Sequence, residues 1–539
     1  MPFAVKSYQF RNIFHSCSAV PPVRICCGQG GISLPKKLPI FYSALLLTGV
    51  NLLLRLVGTS FQVYISGRIG AAGVGLLQLT MSVGSLAMVT GIAGVRTATM
   101  YLTAEELGKK RPGNVTWVLS GCFVYSILCS TAVAAALYFL APTLAENWIG
   151  DVRTVNSLRL FAAFLPVSCL CGVMTGYFTA ANRIGTLAAV EAAEQLCSMV
   201  VTMAVLTLWA GDDPGRACQS VVMGGCFGAC LTLCCLMLLR LAERVKPGPK
   251  IPIRSRLLQA AVPLAMADVL KSGISTTENL MVPKRLALNS LIDSPLAAFG
   301  IVSGMVFPVL MFPACILFGL AELLIPELAR CAAAGSKQRI SYLVRRSLRT
   351  AMLYGIVFSG LEFLLAEGLC NSLYHNAEAG RWLRLYALLI PMLYCDAITD
   401  AMTKGLGQQK VCVRYNIITN SMDVFFLYFL LPKYGMEGYF FSFFITHLVN
   451  FILSLRRLLI ITGETIPFSV PALSVAASLA AGWGASRFAS PVLRAGTYPV
   501  LLGCLMCLFG VLGRQDIAWL KGLLRGKAIA KTRTFSKSA

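Results

Sequence analysis

Long apolar runs alternate with short polar connections from Leu38 almost to Gly513. A helix of about twenty apolar residues crosses the roughly 30 Å hydrocarbon core of a bilayer. Lipid offers no hydrogen-bond partners, so each run must satisfy its own backbone and is therefore helical. A barrel would show segments of about ten residues in strict alternation, and the chain has none. Fourteen spans are expected, near 38–64, 73–100, 115–141, 158–181, 186–210, 218–241, 257–277, 296–328, 347–370, 382–403, 411–432, 436–458, 466–486 and 496–513. The run at 296–328 is long and carries Pro308, Pro313 and Pro326. A tilted or broken helix is expected there.

The longest basic connection, ERVKPGPKIPIRSR from Glu243 to Arg256, follows the sixth span and reads as a linker. The expected organisation is a tail at 1–37, a six-helix bundle at 38–241 and a linker at 242–256. A second six-helix bundle at 257–458, a helix pair at 459–513 and a basic tail at 514–539 complete it. The fold class is thus an all-α integral membrane protein of about fourteen helices. A weak echo relates the halves: setting GYFTAANRIGTLAAVEAAEQ from Gly176 on GLGQQKVCVRYNIITNSMD from Gly405 places Glu194 on Asp423. Two facing repeats around a cavity is a transporter architecture. The alternative is that short turns simply look alike.

Composition agrees with the pattern. The 539 residues are 57% hydrophobic and 13% charged, too little charge to cover a soluble protein of this length. The net charge of +24 raises a nucleic-acid reading. However, the bases sit in short connections between apolar runs, where a bilayer accounts for them. Counted by connection, 33 Lys and Arg fall on one side and 11 on the other. The positive-inside rule then puts the linker and both termini in the cytoplasm. The first 37 residues read as a cytoplasmic extension, and the run after them is too long for a signal peptide. The twenty cysteines lie mostly inside apolar runs and read as small apolar residues, including the Cys504/Cys507 pair.

Five segments carry a family resemblance. They are GRIGAAGVGLLQLTMSV from Gly67, GYFTAANRIGTLAAVEAAEQ from Gly176, ENLMVPKRL from Glu278, GMVFPVLMFPACILFGLAELLIPELA from Gly304, and KGLGQQKVCVRYNIITNSMDVFFLYFLLPKYGMEGYFFSF from Lys404. In order and spacing they resemble the stage V sporulation protein B-like, polysaccharide-exporter branch of the multidrug/oligosaccharidyl-lipid/polysaccharide (MOP) flippase superfamily. The resemblance implies a flippase in the bacterial cytoplasmic membrane. Its partner would be a polyprenyl-diphosphate-linked saccharide, moved by alternating access for cell-wall or spore-cortex synthesis. Apart from the resemblance, no nucleic-acid partner and no cofactor are expected, and the spacing of Asp396 and Asp400 leaves coupling to Na⁺ or H⁺ open.

Ionisable groups inside spans are costly and are the default site candidates. Arg55, Arg96 and Lys271 are the intramembrane cations. A diphosphate suits them, because arginine grips phosphate oxygens in pairs. The resemblance adds weight to Arg55, since lipid II flippases carry a cavity arginine in a similar segment. Against this, Arg55 or Arg96 could snorkel, and Lys271 could pair with Asp268 three residues earlier. The ion-coupling or gating candidates are Asp396, Asp400, Glu194, Asp423 and Asp268. Glu191, Glu322 and Glu362 also lie in spans. Asp396 and Asp400 share a helix face and suit a proton or Na⁺ site, or else bond to neighbouring hydroxyls. Gln195 beside Glu194 matches a family Glu-Gln pair, which favours a structural or gating contact. His447 reads as a packing histidine. A cation-coupled drug exporter is the alternative transporter, though the intramembrane cations count against it. A glycan polymerase or ligase is the alternative enzyme. Short external connections and the absence of a Walker motif, zinc cluster or Ser-His-Asp arrangement argue against any enzyme.

Overall fold

A computed structural model describes residues 40–511 except 110, 212, 244–247, 250, 251, 465–468 and 489, with the side chains of 40–52, 55, 184, 210, 322, 323, 326, 333 and 469 also outside the description. Both tails, six residues of the linker, and the side chains of Arg55 and Glu322 therefore lie outside the described residues. The protein is all-α, with no strand among the described residues. The first half comprises α1 Ile40–Ile92, α2 Val95–Gly108, α3 Asn114–Thr143, α4 Val155–Ala180, α5 Ile184–Val205 and α6 Pro214–Leu241. The second comprises α7 Arg254–Leu286, α8 Pro295–Leu310, α9 Ala314–Ala333, α10 Lys337–Tyr374, α11 Ala377–Ala387, α12 Ile390–Gly405 and α13 Gln409–Thr462. A final pair, α14 Ser469–Ser486 and α15 Pro491–Leu508, follows.

Helix starts follow local chemistry. Asp213 accepts from the Gly215 amide at 2.9 Å with Pro214 in the first turn of α6. Asn376 accepts from the Ala379 amide at 3.0 Å and starts α11. Nine helices are long and apolar enough to cross a membrane, and two bent pairs pass together, giving up to eleven among the described residues. Helix length therefore does not by itself reach the fourteen expected. Two of the long helices are broken where the sequence separates spans: α1 at Gly70, φ 69°, and α13 at Gly435, φ 57°. The proline-rich span is broken as well, since α8 and α9 meet at 66°. A second bend of 58° joins α11 to α12, just before Pro391.

Three larger apolar cores, with a small fourth one at Leu206 and Ala217, hold the described residues together. The largest runs across both halves and includes Leu79, Val83 and Leu165 with Val302, Val306 and Tyr386. A second sits at one end of the first half, around Val95, Val118, Phe178 and Leu236. It also takes in Ile253, Leu257 and Ala261 at the base of α7. The start of α7 thus packs with the N-terminal helices, although the sequence groups it with the second bundle. The third core seats α14 and α15 on α10, through Ala477, Ala481, Tyr498 and Ile356.

Candidate functional site

The main cavity, about 570 Å³, lies between the later part of α1, the start of α2, and the middle of α7. Arg96 enters it from α2, and Asp268 and Lys271 enter it from α7. All three side chains are exposed within it. The remaining wall is rich in neutral polar groups, among them Gln78, Ser82, Ser85, Ser272, Ser275 and Asn279. Two hydrogen bonds tie its sides together: Thr276 Oγ1 donates to the Ser82 carbonyl at 3.2 Å, and Asn279 Nδ2 donates to Ser82 Oγ at 3.0 Å. The Asp268–Lys271 pair foreseen as an alternative is not formed, since no ion pair within 4.0 Å joins them among the described residues.

A second cavity of about 640 Å³ shares Gln78 and Met81 with the first. Its walls are α1, α5 and α6, and it holds Glu191, Glu194 and Gln195. Glu194 accepts from Thr232 Oγ1 at 2.6 Å. Gln195 Nε2 donates to the Leu54 carbonyl at 3.1 Å, and a Cβ at Gly58 would crowd the same amide. Gln195 therefore clamps α5 to the first part of α1. Glu191 is exposed and lies within electrostatic range of Arg96. A smaller gap of about 370 Å³ opens among Gly58, Gln62, Gln195, Pro308 and Phe312, where α1 faces the bend after α8.

The remaining acids sit in the second half. Asp396, Asp400, His447 and Asn450 line a cavity of about 210 Å³. Asn450 Nδ2 donates to Asp396 Oδ2 at 3.0 Å, and Asp400 pairs with Lys404 at 2.5 Å. His447 stacks near the Phe443 ring at 4.1 Å between centroids. Asp423 is buried and accepts from Ser442 Oγ at 2.5 Å and Thr446 Oγ1 at 3.3 Å. The Glu278 carboxyl lies against it. Glu278 lies just past the expected seventh span, 257–277, because α7 continues to Leu286. Its place in the segment ENLMVPKRL was the available signal. Glu362 is 6% exposed, and neither oxygen has a hydrogen-bond partner among the described residues.

The structure therefore brings Arg96, Lys271 and Asp268 together, and sets Glu194 beside them in an adjoining cavity. It keeps Asp396 with Asp400 and, separately, Asp423 with Glu278. No group of three or more His, Cys, Asp or Glu is placed to hold a metal ion among the described residues.

Comparisons with known proteins agree with this architecture. Residues 71–292 match a family model described as polysaccharide biosynthesis protein, and residues 263–429 match the MatE model. The chain is 20% identical over 411 residues to stage V sporulation protein B of Bacillus subtilis (strain 168), covering 73% of this chain and 78% of that protein. Among solved structures it resembles the lipid II flippase MurJ in an inward closed conformation. That likeness has TM-score 0.65 and 14% identity, over 86% of this chain and 98% of MurJ. It also resembles an inward-facing multidrug resistance MATE family transporter of the MOP superfamily, with TM-score 0.60 and 12% identity over 78% and 100% of the two chains. At such identities the structural likeness speaks for the fold. These relatives are transporters and flippases, not enzymes. Two family models that together run from residue 71 to residue 429, a sporulation-protein relative and a shared helical fold give one answer: this multi-pass membrane protein belongs to the MOP flippase superfamily.

Proposed function

We propose that the protein moves a polyprenyl-diphosphate-linked saccharide across the bilayer by alternating access. The observation that carries this is the 570 Å³ cavity, in which Arg96 and Lys271 stand among hydroxyl and amide groups. Two cations suit a diphosphate, and the neutral polar wall suits sugar hydroxyls. The gap between Gly58, Gln62 and Phe312 is proposed to take the lipid tail. Arg55 is proposed as a third phosphate contact. The setting is the bacterial cytoplasmic membrane, with both termini cytoplasmic, and the product serves cell-wall or spore-cortex synthesis. The relative of Bacillus subtilis and the lipid II flippase support this reading by their names.

Energy is proposed to come from a gradient of Na⁺ or H⁺, or from membrane potential, which supplies about 2.3 kcal/mol per charge at 100 mV. Asp396 with Asp400, Asp423, or Glu194 would bind the ion. A second reading, a cation-coupled drug exporter, is favoured by one observation: Glu191 and Glu194 share a cavity with Phe61, Met81 and Met199. Reconstitution separates the two. Proteoliposomes are expected to flip a fluorescent polyprenyl-diphosphate disaccharide and to lose that activity in Arg96→Ala and Lys271→Ala. Proteoliposomes that extrude lipophilic cationic dyes and leave the lipid unmoved would establish the exporter instead.

A further inference from the structure

An anion site has no evident use for a carboxylate, yet Asp268 stands in the main cavity beside Arg96 and Lys271. A negative charge 4 Å from a phosphate oxygen costs about 1 kcal/mol in water and about 4 kcal/mol at an effective dielectric of 20. The usual account is that such an acid neutralises or orients a neighbouring base. Its spacing from Lys271 is right for that pairing. Even so, the two make no ion pair within 4.0 Å, and Asp268 has no hydrogen-bond partner among the described residues. The side chain is exposed to the cavity rather than folded back on its helix. A second exposed acid, Glu191, within electrostatic range of Arg96 but in no ion pair within 4.0 Å among the described residues, faces the adjoining cavity, which shares Gln78 and Met81. The polar interior thus presents both signs of charge on separate side chains.

We infer that the transported headgroup is dipolar: besides its diphosphate it carries a free primary ammonium, which Asp268 receives while Arg96 and Lys271 hold the phosphates. The inference rests on the flippase reading and narrows it to substrates bearing an amino sugar or an amino-acid side chain. A charge-assisted hydrogen bond from an ammonium to a carboxylate fits the one cavity group that a neutral saccharide leaves without a partner. Leaving that acid desolvated beside a neutral headgroup would cost binding, so it also discriminates against headgroups without the amine.

The test uses the full-length protein in proteoliposomes and two fluorescent polyprenyl-diphosphate disaccharides. They are identical except that one sugar carries a free amine and the other its N-acetyl form. The readout is the ratio of their flipping rates. The wild type is expected to favour the amine by about tenfold or more. Asp268→Asn is expected to bring the ratio close to one. Asp268→Glu, which keeps the charge, is expected to retain the preference, separating loss of charge from loss of fold. A wild-type ratio near one, or a ratio unchanged by Asp268→Asn, overturns the inference while leaving the flippase reading standing. A wild type that moves neither lipid overturns both.

Discussion

The two ends of the interface that encloses the main cavity are built from different materials. At one end, α1 meets α8 through glycine. A Cβ on Gly75 would overlap the Leu296 carbonyl, one on Gly300 the Ala71 carbonyl, and one on Gly304 the Val74 side chain. No charged residue lies in 71–78 or 295–304. Gln62 Nε2 adds a bond to the Gly304 carbonyl at 3.4 Å. The segment Ile301–Val306 is π-helical, a local widening that often marks working parts of helices. At the other end, α2 meets the base of α7 through ions. Arg256 binds Glu105 at 2.7 Å and Glu106 at 3.1 Å, and Asn114 donates to Glu106 at 3.0 Å. Gly94, with φ 71°, lets α7 come close here too.

The difference teaches what each end depends on. The glycine contact joins the two halves of the chain chiefly by shape, with the Gln62 bond to the Gly304 carbonyl beside it. It admits no added methyl group without a backbone shift. The ionic contact instead ties the base of α7 to the N-terminal core, where Leu257 and Ala261 are already buried. Its strength depends on solvent and salt.

The largest effect is expected from Gly300→Leu. Overpacking at a backbone contact costs about 1–3 kcal/mol or more. The variant should lose transport and several degrees of apparent Tm in a detergent thermal-shift measurement, with Gly300→Ala intermediate. A Gly300→Leu protein with wild-type Tm and activity would remove the shape argument. Next is Arg96. Arg96→Ala is expected to slow flipping about tenfold to a hundredfold, as befits a lost charged hydrogen bond. Arg96→Lys should fall between, because lysine keeps the charge without the paired donors. Equal rates for Arg96→Lys and Arg96→Ala would argue against bidentate phosphate contact.

A smaller loss, about 1 kcal/mol, is expected for Arg256→Gln at low salt. The difference from wild type should shrink in 1 M salt, about ten times the concentration at which the Debye length is ~10 Å. Gly300→Leu should show no such salt dependence, which sharpens the contrast between the two ends. The smallest effect concerns Asp151, outside the spans, whose carboxyl bonds the Arg153 guanidinium at 2.6 Å. That hydrogen bond holds its pKa below the ordinary 3.8. The folded-state pKa is lowered, so the stabilisation is present above the unfolded value and is lost as pH falls through the folded one. The Tm difference between wild type and Asp151→Asn should therefore be a degree or so at neutral pH and vanish under strong acid. A difference that grows on acidification would contradict the assignment.

The fold class was legible because the bilayer imposes length. Runs such as 115–141 and 218–241 appear as α3 and α6 with modest changes at their ends. The bend between α8 and α9 was legible too, since Pro308 and Pro313 cannot complete the hydrogen-bond ladder. Glu278 was not legible as an intramembrane acid. Hydropathy fades along α7, whose cavity side is polar, so the apolar run ends before the helix does.

The sequence by itself therefore determined that the chain crosses a membrane many times as helices, and which cations and acids fall within its apolar runs. Composition and run length are local properties, and lipid reads them locally. Only the tertiary structure decided that Arg96 and Lys271 share one cavity, that Asp268 stands apart from Lys271, and that Glu278 meets Asp423. Those relations join residues far apart in the chain. They depend on how closely helix backbones approach, which glycines such as Gly75 and Gly300 set and which no periodicity along a single helix records.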